Sequence, residues 1–192
     1  MRCMSGEGRL WDTIREMDLE LDRLPESPQQ TLPTLTSAGH LPPGDFAPSR
    51  VQFEAAFVNT SPGRKEIYLG WNRHREALSA DGLMEEARQL LNGSFTTSKL
   101  EPADLDLAVE VPTTTSELAS LQEGSPVLRL LLGPESKKEF SCDAYPIYCL
   151  PENDPAYEAV TVQGVRYWTK WFARTREGKF KGRVWARVGG FR

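Results

Sequence analysis

The chain has 192 residues, of which 39% are hydrophobic and 26% charged, with a formal net charge of −4. That length suits one well-filled core with appendages; no apolar run approaches the roughly 20 residues a membrane helix needs, and three cysteines without C-x-x-C spacing argue against a disulfide scaffold and a zinc site. Residues 1–162 hold 14 Lys and Arg against 26 Asp and Glu, whereas residues 163–192 hold 9 against 1, so an acidic body carries a basic C-terminal ribbon.

Leu10, Ile14, Met17, Leu21 and Leu24 recur at intervals of four and three, and Trp11 widens the stripe, which predicts an acidic amphipathic helix over residues 1–24. The stripe must bury on its own body or on a partner, so protein recruitment or self-association through it is one expected function. Residues 25–50 carry six prolines and little apolar periodicity, and read as a flexible linker.

The folded domain is expected over residues 51–192. Alternation through Val51, Phe53, Ala55 and Phe57, a turn at Asn59 to Gly63, and renewed alternation at Ile67, Leu69 and Trp71 predict a hairpin. Ser79 is placed to cap a helix through Leu91, with Asn92-Gly93 as its stop. Leu105, Leu107, Val109 and Val111 alternate with Asp104, Asp106 and Glu110, the pattern of a half-buried strand. Thr114 to Glu117 fits a capping box for a short helix. Pro126 to Leu132 and Phe140 to Leu150 read as strands, the second bent or at an edge because of Pro146. The expected fold class is α+β, a largely antiparallel sheet with two or three short helices, preceded by the N-terminal amphipathic helix and the Pro-rich linker.

The C-terminal ribbon carries the sharpest signal. Two aromatic and β-branched runs flank Thr175-Arg176-Glu177-Gly178, which predicts a second hairpin. On that reading Arg166, Trp168, Lys170, Phe172 and Arg174 share one face with Lys181, Arg183, Trp185 and Arg187, while Trp171 lies opposite. Cations and aromatics on one face suit phosphate neutralisation and base stacking, so non-enzymatic binding of single-stranded nucleic acid is the leading expectation.

Catalytic chemistry is not evident from pattern. His40 falls in the Pro-rich stretch, and His74 falls between Arg73 and Arg75, where a surface position or a phosphate contact is expected. Glu85 with Glu86, and Asp104, Asp106 and Glu110, read as solvated faces rather than as acid/base pairs or magnesium ligands. No catalytic residue, metal ligand or cofactor is therefore assigned. With no membrane span and no apolar signal core, no membrane partner is expected, and the expected compartment is the cytoplasm, or the nucleus where there is one.

Overall fold

The computed structural model describes residues 28–80, 84–120 and 126–191, so the expected helix over residues 1–24 and its stripe of Leu10, Trp11, Ile14, Met17, Leu21 and Leu24 lie outside the described residues. The strands are β1 (Asp45–Phe46), β2 (Arg88–Asn92), β3 (Leu105–Pro112), β4 (Cys142–Cys149) and β5 (Arg183–Arg187). They form one sheet in the order β1-β5-β2-β3-β4. β2 runs antiparallel to β3 and β5, whereas β1 pairs parallel with β5 and β4 parallel with β3. The fold is α+β as expected, but the sheet is mixed rather than largely antiparallel. A parallel pair needs a crossover between its strands, and the helices that follow β3 supply it.

Six α-helices are described: α1 (Arg50–Phe53), α2 (Pro62–Ser79), α3 (Thr115–Ser120), α4 (Pro126–Leu130), α5 (Gly133–Phe140) and α6 (Gln163–Phe172). α1 continues into a π-helical turn, Glu54–Val58, and α6 is preceded by another, Glu158–Val162. Four expected strand regions are therefore helical. At residues 50–58 and 62–79 the local caps decide: Ser49 and Gln52 form a reciprocal capping box, and Ser61 caps a helix whose first residue is Pro62. The buried residues Ile67, Trp71, His74 and Leu78 then follow the helical period on the face that meets the sheet. Pro126 to Leu130, expected as a strand, forms the short helix α4, and the expected helix through Leu91 gives way to β2.

The expected C-terminal hairpin does not form. Gln163 to Phe172 is helical, with Val165, Thr169 and Phe172 buried at helical spacing, and β5 lies inside the sheet between β1 and β2. The physical reason is that aromatic and β-branched content marks a half-buried surface more than a backbone state, so packing overrides it. The antiparallel bridge Arg174 to Phe180 keeps the expected turn around Gly178.

The sheet is covered on both faces. On one, Leu91, Leu105, Leu107, Val109, Val184 and Ala186 pack with Phe53, Phe57, Ile67 and Trp71. Phe53 has five aromatic neighbours at centroid distances of 5.0 to 6.3 Å, and Trp71 Nε1 donates to Gln89 Oε1 at 2.9 Å. Each such burial contributes about 1.5–3 kcal/mol. On the other face, Leu90, Ala108, Ile147 and Trp185 receive Val165 and Phe172 of α6. Residues 28–50, the described part of the stretch expected to be a flexible linker, lie along the β1 edge, with Leu41 and Phe46 in the core.

Candidate active site

Side chains alternate along β3, so Asp104 and Asp106 face the side of the sheet that carries α6. The parallel pairing of β3 and β4 sets Asp106 opposite Asp143 and Leu105 opposite Cys142. The antiparallel pairing with β2 sets Asp106 opposite Asn92, at the strand end that runs into Gly93 and Ser94. Three carboxylates from two separate stretches of chain thus meet a turn at one end of the sheet.

Gly93 holds a left-handed backbone, φ +78°, and a Cβ there would overlap Asp106 Oδ2. Only glycine lets the Asp106 carboxylate rest against the turn. Asn92 fixes the turn from below: its Oδ1 accepts from Gly93 N at 2.7 Å while its Nδ2 donates to Phe172 O at 2.7 Å, which joins the turn to the end of α6. The following segment is held by Arg64, which is 1% exposed. Its guanidinium donates to the carbonyls of Phe57 at 2.6 Å and of Phe95, Thr97 and Lys99 at 2.7 Å.

Two lysines meet the carboxylates. Lys137 of α5 pairs with Asp104, and Lys181 approaches Asp106 from the segment before β5. α5 is fixed to β4 by Ser136, whose hydroxyl donates to Gly133 O at 3.0 Å and accepts from Ala144 N at 3.2 Å. Gly133 opens that helix beside the same acid, with Asp143 Oδ1 2.7 Å from where a Cβ would stand. The Lys137 ammonium is drawn above its ordinary pKa by its bond to Asp104 and by the fields of Asp104, Asp143 and Asp106. It therefore stands as a cation among all three carboxylates.

Asp106 reports the balance of charge. Burial, and then the neighbouring Asp104 and Asp143, push its pKa from 3.8 to about 6, against the opposing pull of Lys181 and Lys137. Three carboxylates thus stand against two ammonium groups in a partly buried place. The donor set is carboxylate oxygen only, which suits a hard divalent cation such as Mg2+ or Mn2+. Among the described residues no three acid, histidine or cysteine side chains stand in ion-ligating geometry. Mg2+ sites of the phosphate-handling kind take only one or two carboxylates and complete their shell with water and substrate oxygens.

The reading of Asp104, Asp106 and Glu110 as a solvated row is corrected here. Glu110 is 9% exposed and binds Arg88 through both oxygens, at 2.7 to 3.1 Å, and Asp106 is largely withdrawn from water. Glu85 and Glu86 are exposed, as expected. His74 is fully buried in α2, with Nε2 2.7 Å from Leu130 O, and burial lowers its pKa, so it is neither a surface residue nor a phosphate contact.

The residues expected on one nucleic-acid face are divided between α6 and β5. Arg183, 2% exposed, grips Asp45 through two bonds of 2.6 and 2.8 Å and donates to Thr169 O at 2.8 Å. Trp185, 3% exposed, donates to Asp45 Oδ1 at 2.6 Å, and Phe172 is in the core. Arg187 pairs with Glu86. Arg166, Trp168, Lys170 and Arg174 are half-buried on or just beyond α6, and Lys181 lies in the acid cluster. Trp171, expected on the structural face, is exposed. Asp143 and Lys137 were not singled out from sequence, and Asn92 and Gly93 only as a helix stop. The Asn-Gly-Ser turn between a buried run and the Asp-x-Asp strand is the signal that could have found three of the site's elements.

A mixed five-stranded α+β domain, helices on both faces and an acid cluster at one end of its sheet, is the class that these observations define. Residues 33–186 match the model of DUF6932, a family of unknown function, and the chain belongs to that family. No curated protein and no solved structure matches the chain. Among the described residues no helix is long and apolar enough to cross a membrane.

Proposed function

We propose that this chain is a divalent-cation-dependent enzyme of phosphoryl transfer, acting on a phosphate ester or anhydride at the end of β3. The observation that carries the reading is the in-register pair Asp106 and Asp143, with Asp104 beside them and a lysine ammonium already held among the three. An ion held there would polarise a phosphoryl oxygen and carry charge on the attacking or leaving oxygen. Phosphoryl transfer asks the protein for positioning and charge rather than covalent chemistry, and this site offers both.

The roles divide by geometry. Asp106 and Asp143 supply the oxygen donors, with Asp104 held beside them by Lys137. Gly93 and Ser94 supply a turn against which the Asp106 carboxylate rests, because Gly93 has no Cβ to displace it. Lys137 and Lys181 supply positive charge for the non-bridging oxygens once an ion has taken their place on the carboxylates. Mn2+ titration of the full chain, followed by calorimetry or by the electron-spin signal, tests the first half of the proposal. Nucleoside triphosphates labelled at the α- or the γ-phosphate, offered with a panel of phosphomonoesters, test the second by showing which phosphoryl group moves. Mn2+ binding that Asp106→Asn abolishes, together with turnover that needs Mn2+ or Mg2+, is the expected result. Equal Mn2+ affinity in the wild type and Asp106→Asn, or no turnover of any phosphate offered, overturns it.

A further inference from the structure

Helix α6 presents two large aromatic rings to solvent one turn apart. Tyr167 is 57% exposed and Trp171 64%, and their planes lie 9° from parallel with centroids 6.2 Å apart. Tyr167 meets Trp168 edge-on at 5.0 Å, and Trp168 stacks on Tyr145 of β4 at 4.9 Å. Tyr145 shares a face of β4 with Asp143 two residues away, and burial, followed by the neighbouring Asp143, raises its pKa. A continuous aromatic ladder thus runs from solvent to the acid cluster.

The other exposed large apolar side chains among the described residues are Val51, Leu69, Leu100 and Leu132, none of them on α6. A peptide helix laid into a groove would need aliphatic anchors beside the rings. Charge argues in the same direction. Arg166, Lys170, Arg174, Arg176 and Lys179 stand on α6 and its following turn, with Glu177 as the one acid between residues 163 and 192. Flat rings flanked by cations suit a ligand that is itself a row of flat rings on a polyanion.

We propose that the exposed face of α6 docks single-stranded nucleic acid, whose bases stack on Tyr167 and Trp171. The docking stands on the rings and cations alone. Its consequence for catalysis, that the phosphoryl-transfer substrate is a strand whose end is led along the ladder to Asp143, rests on the function proposed above.

Fluorescence anisotropy of short labelled single strands of DNA and RNA with the full chain, in EDTA and across a salt series, tests it. Trp171→Ala weakens binding at least fivefold, Trp171→Phe restores most of it, and neither changes the dependence of log K on log salt. Both variants keep the wild-type melting temperature, because the ring is exposed. Asp106→Asn binds the strand as the wild type does, which separates this surface from the metal site. Strand binding lost with Mn2+ binding and turnover intact rejects the docking and spares the function; the converse rejects the function and spares the docking. The proposal is overturned if the wild type binds neither strand at low salt, if Trp171→Ala binds equally well, or if a mononucleotide displaces the strand at equal concentration.

Discussion

Asp106 and Asp143 stand opposite one another on the parallel strands β3 and β4, and burial of Asp106, followed by the fields of Asp104 and Asp143, raises its pKa to about 6. A carboxyl whose pKa is raised on folding binds its proton more tightly in the native state. It therefore subtracts stability as pH rises from about 4 to about 6, and the deficit persists at neutral pH. Asp106→Asn removes that deficit. The metal-free variant should be more stable than the wild type at pH 7 by up to about 3 kcal/mol and nearly equal to it near pH 4. Urea unfolding at both pH values measures the difference, and a variant less stable at pH 7 would sink this account. Since only the ionised form can hold a cation, Mn2+ affinity should rise about tenfold per pH unit below pH 6 and level off above it.

Gly93→Ala meets two obstacles at once, a left-handed backbone and the Asp106 carboxylate. The strain costs roughly 1–2 kcal/mol, and moving the carboxylate should weaken Mn2+ binding beyond what stability alone explains. Gly178 has the same conformation, φ +79°, but nothing within 4 Å of an added Cβ. Gly178→Ala is therefore the control: a similar loss of stability with unaltered Mn2+ affinity. Equal effects on Mn2+ at both glycines would remove the Gly93 turn from the site.

Lys137 holds the cluster in the absence of an ion, so it competes with one. Lys137→Met, which keeps the length and removes the charge, should tighten Mn2+ binding several-fold. If the ammonium serves substrate phosphate afterwards, the same variant should raise KM for the phosphate substrate. A lysine with only a surface role would change neither constant. Tighter metal with unchanged KM would confine Lys137 to the ion-free state.

How much of this was legible depended on whether a signal was local. β3 followed from alternation, the capping box at Thr114 and Glu117 is present at 2.8 and 3.2 Å, and Pro146 does sit in a strand at the sheet edge. Each of these is decided within a few residues. The helix α2 was also legible in principle, because Ile67, Trp71, His74 and Leu78 are spaced by four, three and four. Alternation at Ile67, Leu69 and Trp71 masked it, and Leu69 proves to be exposed. α6 misled for a different reason, since its aromatics fit either period until the sheet is there to bury Val165 and Phe172. The acid site was legible only in part. Asp104 and Asp106 were visible as a polar row, but their partner Asp143 comes from a strand read only as bent or at an edge, and parallel register across a helical crossover leaves no trace in spacing. The cations of the basic ribbon were visible too, yet their fates differ: Arg183 is locked on Asp45 in the interior while Lys170 stays on a helix flank.

Arg64 is the residue whose loss should travel furthest. It is buried with its charge satisfied by backbone carbonyls, from Phe57 at the end of the π-helical turn and from Phe95, Thr97 and Lys99 in the segment that follows Gly93 and Ser94. Arg64→Met leaves those carbonyls without a donor in a place that water reaches poorly, so the expected cost is roughly 3–5 kcal/mol. Arg64→Lys should recover little, because one ammonium cannot span carbonyls arranged around a planar fork. A shift of the urea midpoint with the m-value retained would locate the loss in the native state. Because the same bonds hold the segment after the turn, Mn2+ affinity measured well below the denaturation midpoint should fall in both variants, whereas strand binding at Trp171 should not. Loss of less than about 1 kcal/mol, or full rescue by lysine, would show that the carbonyls find other partners and that Arg64 does not position the turn.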